Sequence, residues 1–235
     1  MIHPLFGDRE RNDHDVGRTR VKICCMGSVA EAELAIASGA DAIGLVSAMP
    51  SGPGVIDDDL IDQIARSVPP SIATFLLTCE TSAESIARQV RRSGVNTVQL
   101  VDRIEPDGHR RLRELLPAVA IVQVIHVTGE NSIDEANAVS SHVDGILLDS
   151  GNPSLAVKEL GGTGRRHDWQ ISRRIRDAVQ VPVFLAGGLN ASNVAEAVAT
   201  VRPFGVDICS GVRTGGRLDG AKLDAFFAGI TESAQ

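Results

Sequence analysis

Residues 181–199 read VPVFLAGGLNASNVAEAVA, and this stretch decides the fold. The run Val181–Ala186 is continuously apolar rather than alternating, as in a strand covered on both faces. A Gly187-Gly188 turn follows, and Ser192 opens a helix-period stretch over Ser192–Ala199 as an expected N-cap. Strand, glycine turn and helix in under twenty residues is the unit of a parallel α/β protein. Working outward, the same unit recurs along the chain. The other apolar runs are Val21–Cys25, Asp41–Val46, Ile72–Leu77, Thr97–Val101, Ala120–Val127, Val143–Leu148 and Val206–Cys209. The other helical stretches are Val29–Ser38, Asp57–Ser67, Ala83–Arg92, Arg110–Leu116, Ser132–Ser140, Gln170–Ala178 and Asp219–Phe227. Asp57 reads as a second N-cap, and Gly39 and Gly94 stand where helix C-caps belong.

Eight alternations without a break in composition predict an α/β fold, a single (β/α)8 TIM barrel over residues 21–230. Residues 1–20 read as a polar, flexible N-terminal extension outside the fold, and 231–235 as a C-terminal tail. A doubly wound open sheet is the competitor, but its first turn would favour G-x-G-x-x-G, and here that turn is Cys25-Met26-Gly27-Ser28.

The bulk composition narrows the partners. The chain has 235 residues, close to the ~250 of one such barrel. With 43% hydrophobic residues, 3% aromatics and no tyrosine, the core must be built largely from Val, Ile, Leu and Ala. A net charge of −7 excludes attraction to nucleic acid or to an anionic membrane. No apolar run reaches the ~20 residues of a membrane span, and the first twenty residues lack the apolar stretch of a secretory signal. Cys24, Cys25, Cys79 and Cys209 lack zinc-ligand spacing. These features predict a reduced, cytoplasmic protein.

Active sites of such barrels form where strands end at the C-terminal face. Along Lys22-Ile23-Cys24-Cys25 the side chains alternate, so Lys22 and Cys24 share one face, and Ile23 and Cys25 the other. An interior Lys needs a partner or a task. The Lys22 face is therefore read as the polar interior, with an ammonium favouring the Cys24 thiolate. Cys25 is expected to face the helix layer. A buried cysteine is more often a small core residue, and only the neighbouring lysine and the strand end lift Cys24 above that reading. Asp149 ends the wholly apolar Gly145-Ile146-Leu147-Leu148 run, either as a catalytic acid on the rim or as a turn cap with Ser150. Gly161-Gly162-Thr163-Gly164, Gly187-Gly188 and Ser210-Gly211 lie at consecutive strand ends. Glycine serves ordinary turns, but three such turns in this place predict a phosphate cradle of backbone N–H groups.

These residues resemble phosphoribosylanthranilate isomerase, the tryptophan-pathway family. The resemblance rests on Val21-Lys22-Ile23-Cys24, Ser38-Gly39-Ala40-Asp41-Ala42-Ile43-Gly44, Val98-Gln99-Leu100, Leu147-Leu148-Asp149, Gly161-Gly162-Thr163-Gly164, Asp168-Trp169, Leu185-Ala186-Gly187-Gly188-Leu189, Val201-Arg202-Pro203-Phe204-Gly205-Val206-Asp207 and Ser210-Gly211-Val212. It implies an Amadori rearrangement of N-(5-phosphoribosyl)anthranilate to 1-(2-carboxyphenylamino)-1-deoxyribulose 5-phosphate. Cys24 matches the general base that takes the ribose C2 proton, and Asp149 the general acid that protonates the ring oxygen. Lys22, Gly162, Thr163, Gly164, Gly187, Gly188, Ser210 and Gly211 match substrate and phosphate binding. Gln99 and His126 are candidate substrate contacts. The resemblance implies no cofactor or metal, a small-molecule phosphosugar as partner, and a monomer or homodimer.

Two stretches depart from the family. Where it presents Ser-Pro-Arg after the second strand, this chain has Ser51-Gly52-Pro53-Gly54, and where it continues Gln-Leu-His-Gly, this chain has Gln99-Leu100-Val101-Asp102. Glycine cannot replace a guanidinium that grips a carboxylate. The anthranilate half is therefore altered, with His126 a possible substitute and Gly54→Arg a possible repair. Two alternatives follow: a barrel enzyme acting on another phosphosugar, or a phosphate-ligand binding homologue without turnover.

Overall fold

A computed structural model describes residues 3–7, 18–50, 52–151 and 164–232. Strands and helices alternate as β1 (Arg20–Ile23), α1 (Val29–Ala37), β2 (Ala42–Val46), α2 (Asp58–Ser67), β3 (Ala73–Thr78), α3 (Ala83–Ser93), β4 (Thr97–Leu100) and α4 (Gly108–Leu115). The second half continues with β5 (Ala120–His126), α5 (Asn131–Ser140), β6 (Gly145–Asp149), α6 (Trp169–Ala178), β7 (Val183–Leu185), α7 (Val194–Val201), β8 (Gly205–Ile208) and α8 (Gly220–Glu232). The strands β1 to β8 pair in parallel, in order, and β8 closes on β1, so the (β/α)8 barrel read from the sequence is the fold.

Local chemistry explains the elements. In α3 the buried residues Ala83, Ile86, Ala87 and Val90 recur at helical spacing and form the stripe that meets the sheet. Gly94 ends that helix in the left-handed region, φ 65°. Asp57 caps α2 by accepting the Leu60 N–H, a contact worth about 1 kcal/mol. The expected cap at Ser192 is displaced by one residue. Asn193 is the N-cap of α7, while Asn190 accepts the Ser192 N–H inside the preceding turn.

Two apolar cores follow from the alternation of strand side chains. Ile23, Ile43, Leu45, Leu76, Val98, Ile121 and their equivalents pack outward against the helices. Ala42, Val46, Phe75, Leu77, Val122, Val124, Leu147 and Phe184 fill the barrel interior. The N-terminal residues join this inner core and correct the expectation that all of 1–20 lies outside the fold. Leu5 is buried, and Phe6 stacks on Phe204 and meets Phe184 edge-on. His3 hydrogen-bonds Thr97 at the start of β4, so residues 3–7 close the end of the barrel where the strands begin. The poverty in aromatics hid this, because four of the six phenylalanines (Phe6, Phe75, Phe184 and Phe204) gather in one linked cluster.

After β8 the chain makes a 3-10 turn, Ser210–Val212, then a hairpin of β9 (Arg213–Thr214) and β10 (Arg217–Leu218) that the sequence reading did not include.

Candidate active site

Parallel pairing sets Lys22 of β1 directly opposite Asp207 of β8. The Lys22 ammonium is fully buried, 2.8 Å from the Asp207 carboxylate and 5.1 Å from the centre of the Phe75 ring. Burial alone would lower the lysine pKa, but Asp207 and the neighbouring thiols outweigh it and hold the ammonium charged. Burial pushes Asp207 up, Lys22 pulls it down, and nearby Asp149 pushes it up again. Gly44 gives this group its room: a Cβ there would come within 2.8 Å of the Cys24 sulfur and 3.2 Å of the Lys22 Nζ. Lys22, expected among the ligand-binding residues, is not on the cleft wall; it is engaged with Asp207 beneath it.

The β1 strand ends at Ile23, and Cys24 continues its line by donating its N–H to the Ile208 carbonyl at 2.8 Å. Cys24 keeps the inward face expected of it. Cys25 does not follow the alternation. Its backbone turns into the left-handed region, φ 65°, and its thiol comes to 3.7 Å from the Cys24 sulfur and 3.6 Å from the Pro53 carbonyl. The expectation that Cys25 faces the helices fails for this reason: the strand has already ended, so its two-residue period no longer applies. Arg213 of the unforeseen hairpin holds the turn, donating to the carbonyls of Cys24 and Cys25 while Glu31 of α1 grips its other edge.

Asp149 ends β6 with 9% exposure. The turn cap is present, and the side chain also stands on the rim. Its Oδ1 accepts the Ser150 N–H at 2.7 Å, and the side chain also lines the same open cleft as Cys24. Counted with the open solvent at its mouth, that cleft spans about 680 Å³. Gln99, Asp207, Gly164, Gly187, Gly188 and Ser210 share its wall with Met49, Leu77 and Val101. The Gln99 Oε1 and the Asp207 Oδ1 are buried and have no hydrogen-bond partner among the described residues, so two acceptors await a donor.

The glycine turns converge, with one change to their reading. Gly187 and Gly188 adopt φ 84° and 66°. A Cβ on Gly188 would lie 2.9 Å from the Arg165 carbonyl, and one on Gly211 only 2.2 Å from the Leu189 carbonyl. Both glycines thus serve loop-on-loop packing, which the sequence reading did not see. Gly162 and Thr163 lie outside the described residues, and Gly211 stands behind the wall rather than on it. His126 is turned aside, with its Nε2 donating to the Val101 carbonyl at 3.1 Å. It is a local hydrogen bonder and not a cleft residue. No Lys, Arg or His lines the cleft among the described residues. A side chain at position 54 is also sterically barred, since a Cβ on Gly54 would sit 2.4 Å from the Cys25 Cβ. Gly54 also has φ 79°, so Gly54→Arg alone meets both a backbone and a side-chain obstacle.

Asp207, Cys209 and Arg213 were missed as site residues. The signal for Asp207 was available, because an acid inside a β8 strand otherwise apolar matches the Lys22 already singled out in β1. Nothing local in the sequence marks Arg213, whose role depends on a hairpin folding back across α1.

Comparison with known proteins agrees with this geometry. A model of the family N-(5'phosphoribosyl)anthranilate (PRA) isomerase matches residues 21–229. N-(5'-phosphoribosyl)anthranilate isomerase 2 of Methanosarcina mazei is 40% identical over 195 residues, covering 83% of this chain and 85% of its own. The Haloferax volcanii enzyme is 38% identical over 214 residues, covering 89% and 92%. The crystal structure of the Thermotoga maritima phosphoribosyl anthranilate isomerase superposes with a TM-score of 0.77 at 29% identity, covering 91% of this chain and 99% of that one. Another solved structure of this isomerase, in complex with reduced 1-(o-carboxyphenylamino)-1-deoxyribulose 5-phosphate, gives 0.74 at 27%, with the same coverage. The chain belongs to the N-(5'-phosphoribosyl)anthranilate isomerase family.

Proposed function

We propose that this chain converts N-(5'-phosphoribosyl)anthranilate into 1-(o-carboxyphenylamino)-1-deoxyribulose 5-phosphate in tryptophan biosynthesis, with Cys24 as base and Asp149 as acid. The observation that carries the reading is the meeting of a thiol and a carboxyl from β1 and β6 on one cleft. An Amadori rearrangement needs a proton delivered to the ring oxygen and one removed from C2 of the same bound sugar. Two groups from separate strand ends can act on separate atoms without competing. Asp149 protonates the ring oxygen as the C1–O bond opens, and the anilino nitrogen supplies the electron pair to form an iminium. Cys24, as thiolate, then takes the C2 proton to give the enamine, and tautomerisation yields the ketose. Lys22 and Asp207 act as positioning residues, keeping a charged pair beneath Cys24.

The phosphate belongs at the turns of Gly164, Gly187, Gly188 and Ser210, where left-handed glycines bring backbone close to a ligand. The unpartnered acceptors of Gln99 and Asp207 suit sugar hydroxyls. The test is growth of a strain lacking this isomerase on medium without tryptophan, together with steady-state kinetics of the purified protein. Failure of both would overturn the reading. Among the described residues the cleft holds no cation, which favours a second reading, an aglycone lacking the carboxylate. A lower KM for such an analogue than for the anthranilate substrate would select it. All four cysteines are thiols, which suits a reducing cytoplasm.

A further inference from the structure

The turn that carries Cys24 is bound on two sides. The barrel takes its N–H groups: Cys24 donates to the Ile208 carbonyl of β8 at 2.8 Å, and Met26 to the Gly44 carbonyl of β2 at 3.0 Å. The carbonyls go to Arg213, whose Nη2 donates to the Cys24 oxygen at 3.3 Å and to the Cys25 oxygen at 2.5 Å. Its Nη1 donates to both carboxylate oxygens of Glu31, at 3.0 and 3.1 Å, and to the Gly216 carbonyl at 2.9 Å. Glu31 in turn accepts the Gly27 N–H and the Leu218 N–H, each at 2.9 Å, and so ties the same turn to β10. Lys222 of α8 donates to the Arg213 carbonyl at 2.6 Å.

An exposed ion pair contributes little, but this one is sheltered, with the Arg213 and Glu31 side chains 11% and 18% exposed. Burial pushes the Glu31 carboxyl up, yet the Leu218 and Gly27 N–H groups and the Arg213 guanidinium outweigh it and hold it below the usual carboxylate range. The clasp is therefore charged at neutral pH. The turn that it holds is also strained. Cys25 stands at φ 65°, a region that a non-glycine residue keeps only where its surroundings over-determine it. Arg213 bonds the carbonyl of that same residue. Without the guanidinium, Cys25 is free to relax towards negative φ, and the peptide that joins it to Cys24 rotates with it.

We propose that Arg213, clasped by Glu31, is a positioning residue for the base: it holds the Cys24–Cys25 turn in its left-handed form and so aims the Cys24 thiol into the cleft. The effect on turnover rests on the isomerase reading above, whereas the clasp itself does not. Arg213 does not line the cleft, so its loss should appear in kcat rather than in KM.

The test compares the parent protein with Arg213→Met, Arg213→Lys and Glu31→Gln by steady-state kinetics, denaturant melts and amide hydrogen exchange resolved by NMR. Arg213→Met should lower kcat roughly tenfold to a hundredfold with KM nearly unchanged, the size expected when a reacting group is misplaced by up to about 1 Å. Exchange at the Cys24 and Met26 N–H groups should quicken about tenfold or more, while β5 and β6 keep their protection. Arg213→Lys, which keeps the charge, should recover part of the loss. Glu31→Gln should show the same pattern at smaller size, and it carries the comparison if Arg213→Met does not fold. Glycine accepts φ 65° unaided, so in a Cys25→Gly background Arg213→Met should cost about fivefold less in kcat. Unchanged exchange at Cys24 and Met26 overturns the clasp. Quicker exchange with kcat unchanged in an active enzyme overturns the positioning role, as does exchange that rises throughout the barrel with a general loss of stability. A parent protein without turnover would sink the isomerase reading instead, and the exchange result would still decide the clasp.

Discussion

The two ends of the barrel interior are built from opposite materials. Where the strands begin, Leu5, Phe6, Phe184 and Phe204 close the cavity with apolar side chains, and the chain's own N-terminal residues act as the stopper. Where they end, Cys24, Gln99, Asp149 and Asp207 leave polar atoms facing an open cleft, two of them without a partner. Between the ends sits the buried Lys22–Asp207 pair. One end therefore contributes stability and the other chemistry, and substitutions should separate along that axis.

The largest effect should come from the open end. Cys24→Ala and Asp149→Asn should each lower kcat by roughly 10²–10⁴, the span of a lost general base or acid, while KM and the melting temperature change little. If either loss appears in KM instead, that residue binds rather than transfers protons. Next comes the layer between. Lys22→Met leaves a buried carboxylate without its counter-charge and should destabilise the fold by about 3–5 kcal/mol in denaturant melts. Lys22→Met with Asp207→Leu should recover much of that stability but not the activity. Recovery of both would remove the pair from any positioning role. At the closed end, Leu5→Ala should cost about 2 kcal/mol, the lower edge for a buried leucine because a terminal segment can undock locally, with kcat unchanged. A drop in kcat there would mean the two ends are coupled.

Much of this division was legible before the coordinates. Short continuous apolar runs such as Ile72–Leu77 are what strands covered on both faces show, and eight of them spaced by helices leave the barrel as the economical closure. Cys24 and Asp149 were legible because strand period and strand end together fix a direction. Residues 3–7 were not, because their partners Thr97, Phe184 and Phe204 lie far along the chain and a short polar-flanked segment carries no period. Cys25 was misread for a different reason. Period-two reasoning holds only inside a strand, and the left-handed backbone of Cys25 itself, just past the strand end, turns its side chain to the opposite face. The glycines were read only as a phosphate cradle, whereas Gly188 and Gly211 are demanded by neighbouring carbonyls.

The smallest effect sharpens the departure in the aglycone half. A non-glycine residue at φ 65° carries roughly 1 kcal/mol of strain, so Cys25→Gly should leave the protein as stable or up to about 1 kcal/mol more stable, despite the lost thiol contacts. It also removes the Cβ and sulfur nearest position 54, leaving the residue-25 Cα at 3.0 Å and the Gly54 φ of 79° as the remaining obstacles. In the parent, Gly54→Arg should destabilise by about 1–3 kcal/mol through overpacking and should not lower KM for the anthranilate substrate. With Cys25→Gly beneath it, the same arginine should cost less and should lower KM selectively for the substrate that carries a carboxylate, because a guanidinium then has room to reach it. A double-mutant cycle in both stability and KM reads the coupling directly. If Gly54→Arg behaves identically in the two backgrounds, the cysteine and the missing arginine are independent changes, and the carboxylate is held elsewhere in the site.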